Sequence, residues 1–374
     1  MLTRPDKPAA INAADLFQTI SHSAPKRIAL AVSGGGDSSA LMRLFADHWS
    51  GTLRRDMRDV LVITVDHGLR SAAANEALVV ADWAGEIGMR HVIKRWVAPN
   101  GRLATQADAR SARYGLIGQA ALEFGAAHVL TGHTADDQRE TIAMRAKRSR
   151  SKRGMAGIAP ATLYNRQVWF ERPFLVVERH DLRRWLKQGG WPWIDDPSNA
   201  DTRFERVRTR LADFSSDAHL AETGQYAESR AALARDAAVF LDDGLHVVME
   251  DGAVASATLG LGGATRDAET DALGSALAIG LALVGRREHL PTDDAVRDAF
   301  QTVMRSNGNA YTVAGCHVVM RDGRLEITRE PRNDGAGIFA MDHLLPVWEL
   351  PILEVVDRKR RFSPIPRPLA LITA

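Results

Sequence analysis

Ser33-Gly34-Gly35-Gly36-Asp37-Ser38 follows directly on the apolar run RIALAV (residues 27–32) and leads into the helix-like segment ALMRLFADHW; this stretch decides the fold. Three consecutive glycines let a backbone turn sharply and approach an anion closely, and a following helix offers free N–H groups and the positive end of its dipole. A diphosphate suits that geometry. The familiar nucleoside-triphosphatase loop carries Lys and then Ser or Thr after its last glycine, whereas Asp37 and Ser38 stand there here, so this is a different loop. A carboxylate beside bound phosphates repels them unless it holds Mg²⁺ or meets a second substrate. The plainer alternative is a glycine turn between a strand and a helix.

Working outward, short β-branched runs alternate with longer helical patterns. Strands are expected at RIALAV, at Val60 to Val65, at His91 to Val97 and from His128, with helices at Ser38 to His48, Ala73 to Glu86, Leu103 to Phe124 and Ala135 to Lys147. That order predicts an α/β fold: a parallel-sheet nucleotide-binding domain with helices on both faces. Ligands in such sheets sit beyond the C-terminal ends of the strands. The polar motifs obey this rule, because SGGGDS follows the first strand, Asp66-His67-Gly68 the second and Gly132-His133 the fourth.

The chain of 374 residues is long enough for two domains, and its 45% hydrophobic and 25% charged residues argue against disorder or a membrane protein. A net charge of +2 does not by itself mark a polyanion binder, so any such site must come from local clustering. The single cysteine, Cys316, rules out an intrachain disulfide, a CxxC redox pair and a cysteine-rich zinc site. With no signal-like apolar core near the start and no spanning-length apolar run, a cytoplasmic location without a membrane partner is expected. The division expected is an extension over 1–25, a catalytic domain over 26–215, a helical connecting arm over 216–265, a smaller α+β domain over 266–335 ending in a hairpin at Asp322-Gly323, and a tail over 336–374, extended from Arg358 onward.

A second polar cluster, GHTADDQRET from Gly132 to Thr141, stands at a strand end and opens a helix. Asp136, Asp137 and Glu140 are spaced to share one helical face and would attract a cation, either Mg²⁺ or the ammonium of an amine substrate. Helix capping is the competing explanation for acidic residues in a first turn. In the helix before it, Arg110 and Arg113 lie one turn apart and could face a phosphate or a nucleobase, or simply solvent. The basic run RAKRSRSKR contributes Arg145, Lys147, Arg148, Arg150, Lys152 and Arg153, and leads into RGMAGIAP; it is either a solvated loop or a contact for a phosphate backbone.

Taken together, SGGGDS, VDHGLR, ARSARY, GHTADDQRET, RGMAGI, RPF and DPSNADTRF, in this order and at these separations, resemble the tRNA(Ile)-lysidine synthases of the PP-loop ATP pyrophosphatase superfamily. The resemblance covers residues 26 to 215. It implies adenylation of C2 of the wobble cytidine in an isoleucine tRNA with a CAU anticodon, followed by attack of the ε-amine of free L-lysine and loss of AMP. Carried over motif by motif, Ser33, Gly34, Gly35, Gly36, Asp37 and Ser38 would hold the diphosphate part of ATP, with Asp37 positioning Mg²⁺. Asp66, His67, Gly132 and His133 would complete the nucleotide site. Asp137 and Glu140 would bind the lysine ammonium, and Arg113 would stabilise the activated base. The basic run, together with Arg206 and Arg208, would contact the anticodon arm, and a homodimer is expected. Thr134 stands where many relatives carry a second His, and Val207 where Asn is usual. The alternatives are another PP-loop enzyme, either tRNA-thiolating or amide-forming, and an ATP-binding tRNA adaptor without turnover.

Overall fold

Strand β1 (Ile28–Ala31) is buried along its whole length, as a wholly apolar run must be when helices cover both faces of its sheet. The computed structural model describes residues 11–23, 25–66, 68, 72–97, 106–148, 155–195, 202, 205–211, 217–250, 253–261, 267–287, 289–306, 308–331 and 344–369. The chain divides into two units, one formed by residues 1–222 with 366–374 and the other by residues 223–365.

The first unit opens with short helices α1 (Ala13–Leu16) and α2 (Gln18–Ser23). After β1 come α3 (Gly36–Ala46), β2 (Val60–Asp66), α4 (Ala72–Ile87), β3 (Arg90–Arg95), α5 (Gln106–Phe124), β4 (His128–Thr131) and α6 (Ala135–Arg148). A hairpin of β5 (Ala161–Tyr164) and β6 (Val168–Glu171) follows, then α7 (Arg179–Gln188) and α8 (Glu205–Leu211). The strands of this unit lie in the order β5-β6-β4-β1-β2-β3. All neighbours are parallel except β5 and β6. The chain order reverses beside β1, so the loops after β1 and β4 open onto one crevice. Edge strand β3 carries Arg90, Lys94 and Arg95, charges that discourage pairing with another chain.

Within the segment expected as an extension, Phe17 and Ile20 are buried in the core, and the Phe17 ring meets Phe45 edge-on with centroids 5.3 Å apart. Within the segment expected as a tail, Leu369 is buried, its N–H donates to Glu171 Oε1 at 3.2 Å, and Trp169 Nε1 donates to Pro366 O.

The second unit takes in most of α9 (Asp217–Gly244), followed by β7 (Leu245–Glu250), β8 (Ala253–Gly260), α10 (Asp267–Gly285), α11 (Asp293–Arg305), β9 (Tyr311–Val313), β10 (Cys316–Arg321), β11 (Arg324–Arg329), β12 (Leu344–Pro346) and α12 (Leu350–Arg360). Its antiparallel sheet has the order β7-β8-β11-β10-β9. The arm expected to be helical over 216–265 is therefore strand in its second half, where LHVVME and AVASATLG alternate with the two-residue period of a sheet. Asp322 and Gly323 both take positive φ, 46° and 74°, and make the expected hairpin turn. Among the described residues no helix is long and apolar enough to cross a membrane.

Candidate active site

The three glycines after β1 have three different physical reasons. Gly34 has φ +88°, and a Cβ there would lie 2.7 Å from Ile194 Cδ1, so conformation and space both exclude a side chain. Its carbonyl accepts from Ile194 N at 2.9 Å and from Ser39 Oγ at 3.0 Å. Gly35 is the N-cap of α3, has no side-chain cap, and a Cβ there would meet only Ser33 Oγ at 3.7 Å. Its open face is where an anion can approach the helix N-terminus. Gly36 begins α3 and carries its backbone past Arg183 at ordinary contact distance. Ser38 fastens the loop to itself, its Oγ donating to Gly35 O at 3.0 Å and accepting from Ser33 N at 3.2 Å.

The end of β4 presses against this loop. A Cβ on Gly132 would stand 2.9 Å from Asp37 O and 3.1 Å from Ser38 N, so glycine is what lets the two motifs meet. His133 Nδ1 lies 2.9 Å from Thr131 Oγ1, and that hydroxyl donates its proton to Glu171 O, which leaves the imidazole Nδ1–H as donor to the hydroxyl. Thr134 caps α6. Its N–H and hydroxyl both donate to Asp137 Oδ2, at 2.8 and 3.0 Å. The bond from the Thr134 N–H is the carboxylate half of a capping box, so one oxygen of Asp137 serves the helix start and the other, Oδ1, faces the site.

Arg179, the first residue of α7, joins the two motifs. Its Nε donates to Asp37 Oδ2 at 2.9 Å, and its terminal nitrogens lie 3.3 Å from Asp137 Oδ1, 3.3 Å from Glu140 Oε1 and 4.0 Å from Asp136 Oδ1. Its backbone N–H donates to Asp136 Oδ2 at 2.8 Å, so Asp136 also caps α7. Glu140 is buried and accepts in addition from Arg210 Nε at 2.8 Å. Burial pushes the Asp37 carboxyl above its ordinary value, although Arg179 pulls the other way. Burial opposes the charge on Arg179, but Asp137, Asp37 and Glu140 outweigh it and raise its pKa further.

Arg179 is absent from the residues the sequence singled out, and Arg210 ends a segment, Arg203 to Arg210, that the resemblance assigns to the anticodon arm and not to Glu140. Only the Arg-rich character of ERHDLRRW and RFERVRTR hinted at them. Among the expected residues, Ser33 to Ser38, Gly132, His133, Asp137 and Glu140 converge at the ends of β1 and β4. Asp66 is buried and makes a turn, accepting from Gly68 N at 2.8 Å, while His67 lies outside the described residues. Arg113 is half-buried on α5 beside Tyr114, whose hydroxyl accepts from Arg172 at 3.2 Å and Arg110 at 3.3 Å.

In the basic run, Lys147 is exposed on α6, and Arg145 donates to Gly157 O at 2.8 Å, fastening the RGMAGI segment to that helix. Arg150, Lys152 and Arg153 and the side chains of Arg148 and Arg206 lie outside the description. Arg208 is exposed and donates to Thr202 O at 2.7 Å. Val207 is buried, so an apolar residue suits its place on α8.

A glycine loop feeding a helix N-terminus, with carboxylates gathered at a second strand end, defines a nucleotide-binding α/β protein of the PP-loop class, and a family model described as a PP-loop domain matches residues 7–213. The tRNA(Ile)-lysidine synthase of Mesorhizobium japonicum is 36% identical over 329 residues, which is 85% of this chain and 70% of that protein. That of Rhizobium meliloti is 34% identical over 318 residues, 83% of this chain and 69% of that protein. The enzyme of Bradyrhizobium diazoefficiens is 45% identical over a shorter 202 residues, 54% of this chain and 55% of that protein. A solved structure, the U34-tRNA thiolase NcsA from Methanococcus maripaludis, aligns with 57% of this chain and 75% of its own at 13% identity and a TM-score of 0.46. This chain belongs to the tRNA(Ile)-lysidine synthase family of PP-loop proteins.

Proposed function

We propose that this chain converts the wobble cytidine of an isoleucine tRNA with a CAU anticodon to lysidine, using ATP and free L-lysine. The observation that carries the reading is the open face of Gly35 standing beside a carboxylate cluster, with Gly132 binding the two into one site. In the first step the C2 oxygen of cytosine attacks the α-phosphorus of ATP and diphosphate leaves. In the second, the lysine ε-amine attacks C2, and AMP departs with the former C2 oxygen.

The backbone of Ser33 to Ser38 and the α3 N-terminus receive the diphosphate, where displacement at phosphorus needs positioning and neutralisation more than covalent help. Asp66, His67, Gly132 and His133 would complete the nucleotide site, with Asp66 and His67 assigned to the adenosine. Asp37 fits a Mg²⁺ ion: among the described residues its buried Oδ1 has no hydrogen-bond partner, and Mg²⁺ is commonly held by one carboxylate together with substrate phosphates. Bound there, the ion would offset phosphate charge. Asp137 Oδ1 and Glu140 receive the lysine ammonium, and a carboxylate so placed also accepts the proton the amine must lose before attack. Arg113 stabilises the activated base. Arg145, Lys147, Arg148, Arg150, Lys152, Arg153, Arg206 and Arg208 supply positive charge to the anticodon arm, whose target base must be splayed out to be read. The protein works in the cytoplasm as a homodimer.

The test incubates the protein with ATP, Mg²⁺, labelled lysine and isoleucine tRNA bearing CAU, with elongator methionine tRNA as control. Label in the first tRNA alone is expected. AMP release without label would move the reading to another nucleophile, and no turnover would favour the adaptor.

A further inference from the structure

The helical face of Asp136, Asp137 and Glu140 is suited to a cation, and a cation of the protein's own, Arg179, reaches it. Arg179 reaches all three of those carboxylates and Asp37 as well, at 2.9 to 4.0 Å. Its guanidinium and a substrate ammonium need the same oxygens, Asp137 Oδ1 and Glu140 Oε1. The Arg179 main chain is pinned by Asp136, but its side chain has a long flexible stem, so the head group can leave while α7 stays.

We propose that Arg179 is a resident competitor for the amine subsite: it holds the carboxylates neutralised when no lysine is bound, lowers the apparent affinity for lysine, and must move aside for the ammonium to enter. The inference rests on the proposed lysine-dependent function. The physical argument is that removing one cation from a partly buried cluster leaves negative charge under-compensated: Glu140, only 5% exposed, keeps Arg210 at 2.8 Å, but Asp37 Oδ2 and Asp137 Oδ1 lose the Arg179 guanidinium. Without Arg179 the cluster therefore holds a stronger demand for an external cation. If the guanidinium occupies the cluster in about nine molecules in ten, the apparent dissociation constant for lysine is about tenfold above the intrinsic one. A bound nucleotide would offer the guanidinium other negative partners next to Asp37, so lysine binds more tightly after ATP than before it.

The experiment is calorimetric titration of free lysine into wild type, Arg179→Gln and Arg179→Lys without nucleotide, with norleucine, which lacks the ε-ammonium, as control. Arg179→Gln is expected to bind lysine about tenfold more tightly than wild type, and not to bind norleucine more tightly. Arg179→Lys, which restores a cation, should return toward the weak wild-type affinity. Should Arg179→Gln fold poorly, lysine but not norleucine should raise its melting temperature by more than it raises that of wild type. A purely structural role predicts the reverse, with equal or weaker lysine binding and no selective rescue, and that result overturns the proposal. Labelled-lysine incorporation by wild type is measured alongside. Its absence would defeat the lysine-dependent function itself and this inference with it, whereas incorporation with no gain in Arg179→Gln would defeat this inference alone.

Discussion

Gly132→Ala tests whether the end of β4 and the glycine loop form one rigid construction. The added methyl would lie 2.9 Å from Asp37 O, 3.0 Å from Asp37 C and 3.1 Å from Ser38 N, all inside ordinary contact and all backbone, so no side chain can rotate out of the way. Overpacking of this kind costs about 1–3 kcal/mol. For a domain of this size that is about 2–12 °C in melting temperature. Relief requires the first turn of α3 to shift, and a displacement of about 1 Å at reacting groups can cost about 10²-fold in rate. Gly35→Ala is the matched contrast. Its methyl meets only Ser33 Oγ at 3.7 Å, and Gly35 has an ordinary φ of −66°, so stability should hold while the methyl stands where phosphate oxygens must come. Thermal unfolding and ATP-dependent diphosphate release, measured on both variants, separate the two effects. Unchanged melting and full turnover in Gly132→Ala, or wild-type ATP affinity in Gly35→Ala, would refute this account of the loop.

Asp37→Asn should abolish diphosphate release without unfolding the protein, because it removes a half-buried charge whose desolvation is only partly offset by Arg179; activity assays and circular dichroism check this. Thr134→Val removes the hydroxyl hydrogen bond to Asp137 Oδ2 while keeping that from the backbone N–H, and should cost about 1.5–3 kcal/mol as a hydrogen bond to a charged group, read by denaturant titration, while loosening Asp137 and so weakening lysine binding. Arg210→Gln should impair lysine incorporation into bound tRNA, whereas Arg208→Gln should lower tRNA affinity with little effect on turnover at saturating tRNA; filter binding and single-turnover assays distinguish them. Burial holds the Glu171 carboxyl above its ordinary 4.5, with His128 opposing, so the folded state keeps this proton to higher pH than the unfolded state. Its contribution is then most favourable below pH 4.5 and declines as pH rises through the folded value, and the melting temperature of Glu171→Gln relative to wild type should climb with pH across that window.

Much of the nucleotide half was legible because its signals are local. The runs RIALAV and VLVITV are continuous and apolar, as buried parallel strands must be, and the helix expected at Ala135 to Lys147 is α6 to within a residue. The hairpin of β5 and β6 escaped notice because its turn uses Asn165 and Arg166 at positive φ, 45° and 60°, with no glycine to announce it. The strands β7 and β8 were hidden by the Ala/Glu/Arg-rich helix that runs into them, and Leu369 is buried in a core assembled from distant parts of the chain, its N–H bonded to Glu171, 198 residues earlier.

The same distinction between local and distant signals governs the site. Spacing placed Asp136, Asp137 and Glu140 on one helical face but could not say what each oxygen does, and the structure divides the work among them. Asp136 caps α7, Asp137 spends one oxygen on α6 and turns the other inward, and Glu140 is gripped by two arginines. The capping and cation explanations were therefore never exclusive, since a carboxylate has two oxygens and these are spent differently. What no local pattern could supply was the identity of the cation. Arg179 lies 39 residues from Glu140 and 142 from Asp37, and only the packing of α7 against α3 in the fold brings it among them. An acidic cluster that already contains its own guanidinium is a different chemical object from an open one, because an incoming ammonium must win those oxygens from a tethered competitor.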